Sequence, residues 1–207
     1  SARMLRVALS RVVVGGGQKT NLVVAAMELA RRLGVLPEPG EDNEVKEGSE
    51  HALLEAIYDP EQPGSLARNI RSVMWSATHV RERLSLDHWH SLSRLQRDQQ
   101  AALKVHPTLT EAIAFLDRVL GVSSSLTGFA MDNMTRDDGW RFLMIGRRLE
   151  RLSFLAMTVA HFLRMPSTRS PGSLEWLLEL SDSIITYRSR YSRQPELLPV
   201  VDLLVFD

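Results

Sequence analysis

The sequence contains no cysteine. That removes disulfides, thiolate metal sites and a thiol nucleophile together. Lysine is almost as scarce: Lys19, Lys46 and Lys104 are its only members among 25 basic residues. Arginine suits partly buried forks onto carboxylates or phosphates, and GC-rich codon usage gives the same bias, so the preference alone assigns no site. Net charge is also absent, with Lys plus Arg at 25 and Asp plus Glu at 25. No whole-protein field draws in nucleic acid or an anionic membrane, and neither is expected as a partner. No apolar run approaches the roughly 18 residues of a membrane span. The opening "SARMLRVALSRVVV" is amphipathic with spread arginines, unlike a signal peptide. Cytoplasm is the expected compartment.

Strand patterns are nearly missing as well. Apolar residues recur instead at intervals of three and four almost throughout the 207 residues. The pattern predicts helices near 2–14, 18–34, 49–58, 65–86, 87–104, 109–122, 136–164, 173–192 and 195–204. The fold class is therefore all-α, a helical bundle forming a single domain over 1–207. Thr108 and Glu111 have the spacing of a capping box, and Thr135 precedes a first turn holding Asp137 and Asp138. Ser65 and Ser173 follow Pro-Gly turns as predicted N-caps. Residues 37–50, "PEPGEDNEVKEGSE", hold six acids, one lysine and little to bury, and read as a mobile acidic loop. "VVVGGGQKTN" fails as a phosphate loop, because Gln18 separates Gly17 from Lys19 and no strand precedes it.

Two helices carry two faces each. Leu66, Ile70, Val73, Ala77, Val80 and Leu84 form an expected core stripe. Opposite them stand Arg68, Arg71, Trp75, His79 and Glu82, where arginines flank a tryptophan in a spacing that suits cation–π stacking. That side is either a second packing or salt-bridge surface, or a groove for a ligand or partner. In "GWRFLMIGRRLERLSFLAM" (Gly139 to Met157) the line Phe142, Ile145, Leu149, Leu152, Ala156 and Val159 makes one apolar face. Trp140, Leu143 and Phe154 make a second, with Arg147 and Glu150 inside it, while Arg141, Arg148 and Arg151 cluster on a polar side. A helix covered on both sides would enclose Arg147 with Glu150, and a buried charge demands a partner. Gly146 admits a close neighbour. The two readings are a structural ion pair and an anion-binding site.

Weaker signals remain. His88 and His90 stand two apart on a helix and cannot chelate one metal, so no metal site is expected. Ser123 to Ser125 lack a readable His/Asp constellation, and no nucleophile is assigned. "TYRSRYSR" (Thr186 to Arg193) places Tyr187 and Arg188 at a helix end. Cations there stabilise the helix, and a basic, aromatic partner patch is the other reading. An apolar run closes in aromatic-Asp twice, at Tyr58-Asp59 and Phe206-Asp207, and Ala2–Val12 is similar to Ala156–Met165. These matches predict two related halves in a fragment of a longer protein.

Gly128 to Ala156, "GFAMDNMTRDDGWRFLMIGRRLERLSFLA", resembles the signature of the bacterial alpha-E domain family at Met134, Gly139, Trp140, Phe142, Gly146, Arg147, Glu150 and Arg151. Leu152 departs from the alanine common in that family. "DPEQPGSLARNIRSVMW" (Asp59 to Trp75) and "YRSRY" (Tyr187 to Tyr191) resemble two further family regions. The resemblance implies an all-helical domain encoded beside, or fused to, a circularly permuted ATP-grasp ligase and near transglutaminase-like peptidases. It implies no catalytic residue and no cofactor. Three functions follow as expectations. The first is a non-catalytic docking module on an ATP-grasp ligase-like protein in a peptide- or amide-forming system. The second is a domain binding an acidic or phosphorylated small molecule in an arginine-lined cleft. The third is a homo-oligomerisation bundle. The residues expected to bind ligand or partner are Arg68, Arg71, Trp75, Trp140, Arg147, Glu150, Arg151, Tyr187 and Arg188.

Overall fold

A computed structural model describes residues 2–14, 21–37, 49–102, 107–164, 172–191 and 194–206. These form α1 (Ala2–Val14), α2 (Asn21–Arg32), α3 (Ser49–Tyr58), α4 (Leu66–His79), a 3₁₀ turn (Arg81–Arg83), α5 (Leu86–Ala102) and α6 (Leu109–Asp132). After them come α7 (Asp138–Arg164), α8 (Ser173–Ser181), α9 (Ile184–Tyr191) and α10 (Leu197–Phe206). No strand occurs among the described residues. Residues 15–20 of "VVVGGGQKTN" lie outside them, as do residues 38–48 of the acidic loop.

The core is built around α1, whose Met4, Leu5, Ala8, Leu9 and Val12 are buried at helical spacing. It packs against α2, α3, α6 and α8, and α6 in turn packs against α3 and α5. Tyr58 at the end of α3 stacks on Phe115 of α6, with centroids 5.5 Å apart. Burial pushes its hydroxyl up to about 12, against a smaller opposing pull from Arg118. Phe206, its counterpart in the apparent repeat, is 82% exposed, so the two aromatic-Asp ends do not share an environment.

The capping box forms as expected. Thr108 Oγ1 accepts the Glu111 N–H at 3.3 Å, and Glu111 Oε2 accepts the Thr108 N–H at 2.8 Å. That Thr108 N–H, and then the Thr108 hydroxyl, which also donates to Oε2 at 2.8 Å, hold the Glu111 carboxyl below its usual range. Ser65 likewise caps α4 through the Arg68 N–H at 3.1 Å.

Elsewhere local chemistry moved the predicted boundaries. The 65–86 helix stops at His79, where the Trp75 carbonyl takes the Thr78 hydroxyl at 2.6 Å. The buried line on α4 is Leu66, Ala67, Ile70, Met74 and Ala77, so Val73 and Val80 lie on its exposed flank. The 109–122 helix continues to Asp132. Ser123, Ser124, Ser125 and Thr127 each donate back to a carbonyl four residues earlier, which lets polar residues stay helical. The 173–192 helix breaks at Asp182, which adopts φ 60°. Asp tolerates the left-handed region better than most residues. Ser173 is the first residue of α8 and Gly172 is its cap. Asp137, not Thr135, caps α7: its Oδ1 accepts the Trp140 N–H at 3.0 Å.

By length and composition α6 is the one helix among the described residues apolar enough to cross a membrane. The expectation that no stretch reaches that length is corrected here. The helix buries Ala112, Phe115, Leu116 and Val119 in the core, and most of its apolar stretch is not buried.

Two histidines are buried. His88 lies near Phe129, with ring centroids 5.9 Å apart. His161 faces α2, where it meets the Ala25 backbone and the charges of Arg32 and Glu28. Burial lowers both below the usual 6.5. The unfolded chain therefore binds these protons more readily, and folding is most favoured above 6.5. As pH drops below 6.5 toward the folded-state values, stability is lost. Thermal melts between about pH 8 and 5 should show a falling Tm that flattens in His161→Gln. An unchanged slope in that variant would exclude His161 as a source.

Candidate functional site

Helix α7 holds most of the signature and both of its apolar faces. Only the second face is used by the protein along the helix's first half. Trp140 and Met144 are half-buried there, as are Phe154 and Leu155 further along, while Leu143 of the same face is exposed. Trp140 Nε1 donates to the Ala130 carbonyl at 2.8 Å, and the Arg136 guanidinium sits 5.6 Å above its ring. Thr158, Val159, His161 and Phe162 complete the packing toward the C-terminal end.

The first face is bare. Phe142 is 74% exposed, Ile145 52%, Leu149 58% and Leu152 64%. The expectation that α7 is covered on both sides therefore fails over its first half, and with it the enclosed ion pair. Arg147 and Glu150 are both exposed, and no hydrogen bond or ion pair joins them among the described residues. The physical reason is the low density of neighbours: α7 packs chiefly on α8 and α2, toward its C-terminal end. Arg151 reaches α8, donating to the Ser181 carbonyl at 3.4 Å. Gly146 has open space where a Cβ would stand.

The start of α7 is clasped to the turn before α5. Arg83 donates to Asp137 Oδ2, and the same aspartate caps Trp140. The Trp140 N–H and then the Arg83 guanidinium hold the Asp137 carboxyl below its usual range. The sequence offered no signal for this clasp, because its partners lie 54 residues apart.

The α4 residues form a separate group. Arg71 bridges Glu61 Oε1 at 3.2 Å and the Pro60 carbonyl at 2.9 Å, and Arg68 donates to the Glu61 carbonyl at 3.2 Å. Both arginines thus brace the turn before their own helix. Trp75 is 67% exposed and lies against His79, with ring centroids 4.3 Å apart, in place of the expected arginine stack. No hydrogen bond or ion pair among the described residues joins this group to α7. On α9 Tyr187 is buried: its hydroxyl donates to the Gln194 carbonyl at 3.3 Å and accepts the Glu196 N–H at 3.1 Å. It ties α9 to the start of α10, while Arg188 remains exposed.

His88 is buried and His90 exposed, so the pair diverges as expected from its spacing. No group of three or more His, Cys, Asp or Glu suited to a metal occurs among the described residues.

The model of the Alpha-E family, described as a predicted alpha-helical domain with a conserved ER motif, matches residues 1–207. Glu150-Arg151 has that motif's residue order within the signature. Uncharacterized proteins of Mycobacterium bovis and Mycobacterium tuberculosis are 30% identical over 162 residues, which is 75% of this chain and 18% of each relative. The chain thus spans less than a fifth of the relatives it matches. No solved structure matches it.

Proposed function

Because this chain belongs to the Alpha-E family, we propose that it is a non-catalytic docking module, with the first half of α7 as the surface that binds. The bare apolar line Phe142, Ile145, Leu149 and Leu152 carries this reading. Exposed apolar side chains are ordinary singly, but four in a row on one helix mark an interaction surface. The partner in this reading is an ATP-grasp ligase-like protein or domain of a peptide- or amide-forming system, as the family resemblance implies. The extent of the relatives supports it, since most of their length lies outside the matched region.

The test is capture of the intact protein from its own host, followed by identification of what is retained. An ATP-grasp protein should be retained by the wild type, lost with Ile145→Lys/Leu149→Lys, and kept with Arg71→Ala/Trp75→Ala. Retention by all three would remove α7 from the reading. Arg147 and Arg148 carry no carboxylate partner among the described residues, which favours the small-anion alternative. A bound acidic metabolite lost with Arg147→Ala/Glu150→Ala, and no protein partner, would establish it instead.

A further inference from the structure

The bare line on α7 has a stricter order than an amphipathic helix needs. Phe142, Ile145, Leu149, Leu152 and Ala156, all exposed, recur at alternating intervals of three and four, up to Val159, which the core buries. That is the a/d seam of a heptad repeat, the pattern that pairs two helices by knobs-into-holes packing. An ordinary core-facing helix shows a wider stripe. In this frame Phe142 and Leu149 are a positions, and Ile145 and Leu152 are d positions.

The two edges of the seam differ in kind. One edge, the g positions, begins with Arg141 and Arg148. The other, the e positions, is Gly146, Ser153 and Ala160, all small. Gly146 meets nothing within 4 Å where a side chain would begin, so a second helix can approach closely there. Arg148 has no ion-pair partner among the described residues, and Arg141 has only the exposed Asp138 one turn back, at 3.2 Å. Exposed pairs of that kind contribute little, so Arg141 remains available to a neighbour. Charges at the e and g positions set partner choice in paired helices. Along the edges of the seam, a second copy of α7 offers no acid to either arginine. Antiparallel pairing sets Arg148 near its own copies, and parallel pairing faces it with Ser153.

We propose that the α7 seam is one strand of a two-helix coiled coil, and that its occupant is an amphipathic partner helix, apolar at a and d and acidic along the edge that meets Arg141 and Arg148. This inference rests on the docking reading and supplies the chemistry of its partner. The apolar contacts provide adhesion and the one-sided arginine edge provides choice and register.

Two synthetic helices of about three heptads test it, both with leucine at a and d. One carries glutamate at e and g, the other lysine. Each is labelled and titrated with the intact chain, and binding is read by fluorescence anisotropy. The glutamate peptide should bind about tenfold or more tightly than the lysine peptide at low salt, and the gap should shrink as salt rises. Leu149→Lys should abolish binding, and Leu152→Lys should do the same as an independent check. Circular dichroism confirms that the variants fold, as their exposure leads one to expect. Arg141→Glu/Arg148→Glu should reverse the preference. Equal binding of both peptides, or of neither, overturns the acidic-helix inference. The docking reading survives that result if capture of the ATP-grasp protein still depends on Ile145 and Leu149. A concentration-dependent dimer abolished by Leu149→Lys overturns the inference in favour of a second copy.

Discussion

Replacing Gly64 with alanine should destabilise the fold by about 3 kcal/mol, and thermal denaturation should show a Tm roughly 6–12 °C lower. Two effects add at this position. Gly64 sits at φ +79°, where a Cβ is strained. A Cβ there would also run into the backbone carbonyl of Gly34, at the end of α2, with its carbon only 2.8 Å away. Backbone cannot swing aside as a flexible side chain does. The turn before α4 is keyed into that corner by further bonds: Gln62 Nε2 donates to the Val35 carbonyl at 2.9 Å, and Asn69 Nδ2 to the Gly64 carbonyl at 3.2 Å. Gly34→Ala separates the two effects. Gly34 has φ +66° with open space around it, so only the strain of about 1 kcal/mol should appear. Equal losses in both variants would refute the steric account.

Trp176→Ala should cost about 3–5 kcal/mol, the range for truncating a fully buried aromatic side chain. Trp176 is 1% exposed at the centre of α8, beside Leu177 and Leu178, which are completely buried. Trp75→Ala should shift stability by no more than about 0.5 kcal/mol, because its ring lies mostly in solvent against His79. Chemical denaturation of the two variants side by side reads the contrast directly. A loss at Trp75 comparable to that at Trp176 would mean that the α4 surface is structural.

These two tryptophans show what was legible in the sequence. Helical spacing located α1, α2, α3, α5 and α7 closely, since periodicity reports directly on which residues can share a face. It singled out Trp75 because arginines surround it, and passed over Trp176 because an aromatic residue in an apolar run carries no distinguishing mark. Caps written in short local spacings, Ser65 and Thr108 with Glu111, were readable. The break at Asp182 was not, because nothing in "LSDSII" forbids the helix from continuing. At α7 the sequence revealed two apolar faces and five arginines, but not which face the body of the protein takes. That choice depends on where α2, α6 and α8 lie, which is non-local. Tyr187 was misjudged for a related reason: its role as a buried strut depends on the chain returning at Gln194 and Glu196.

The two faces of α7 have an evolutionary consequence. One helix there answers to two sets of neighbours. Trp140, Phe154 and His161 are constrained by α6, the core and α2, so substitutions among them should be compensated within this chain. Phe142, Ile145, Leu149 and Leu152 touch little of it. Changes along that line can drift without harm to folding, and in the docking reading selection on them acts through the partner that meets them. In descendants of this protein the compensating changes would then lie on another surface, and a lineage that lost the encounter would lose the heptad while keeping the fold.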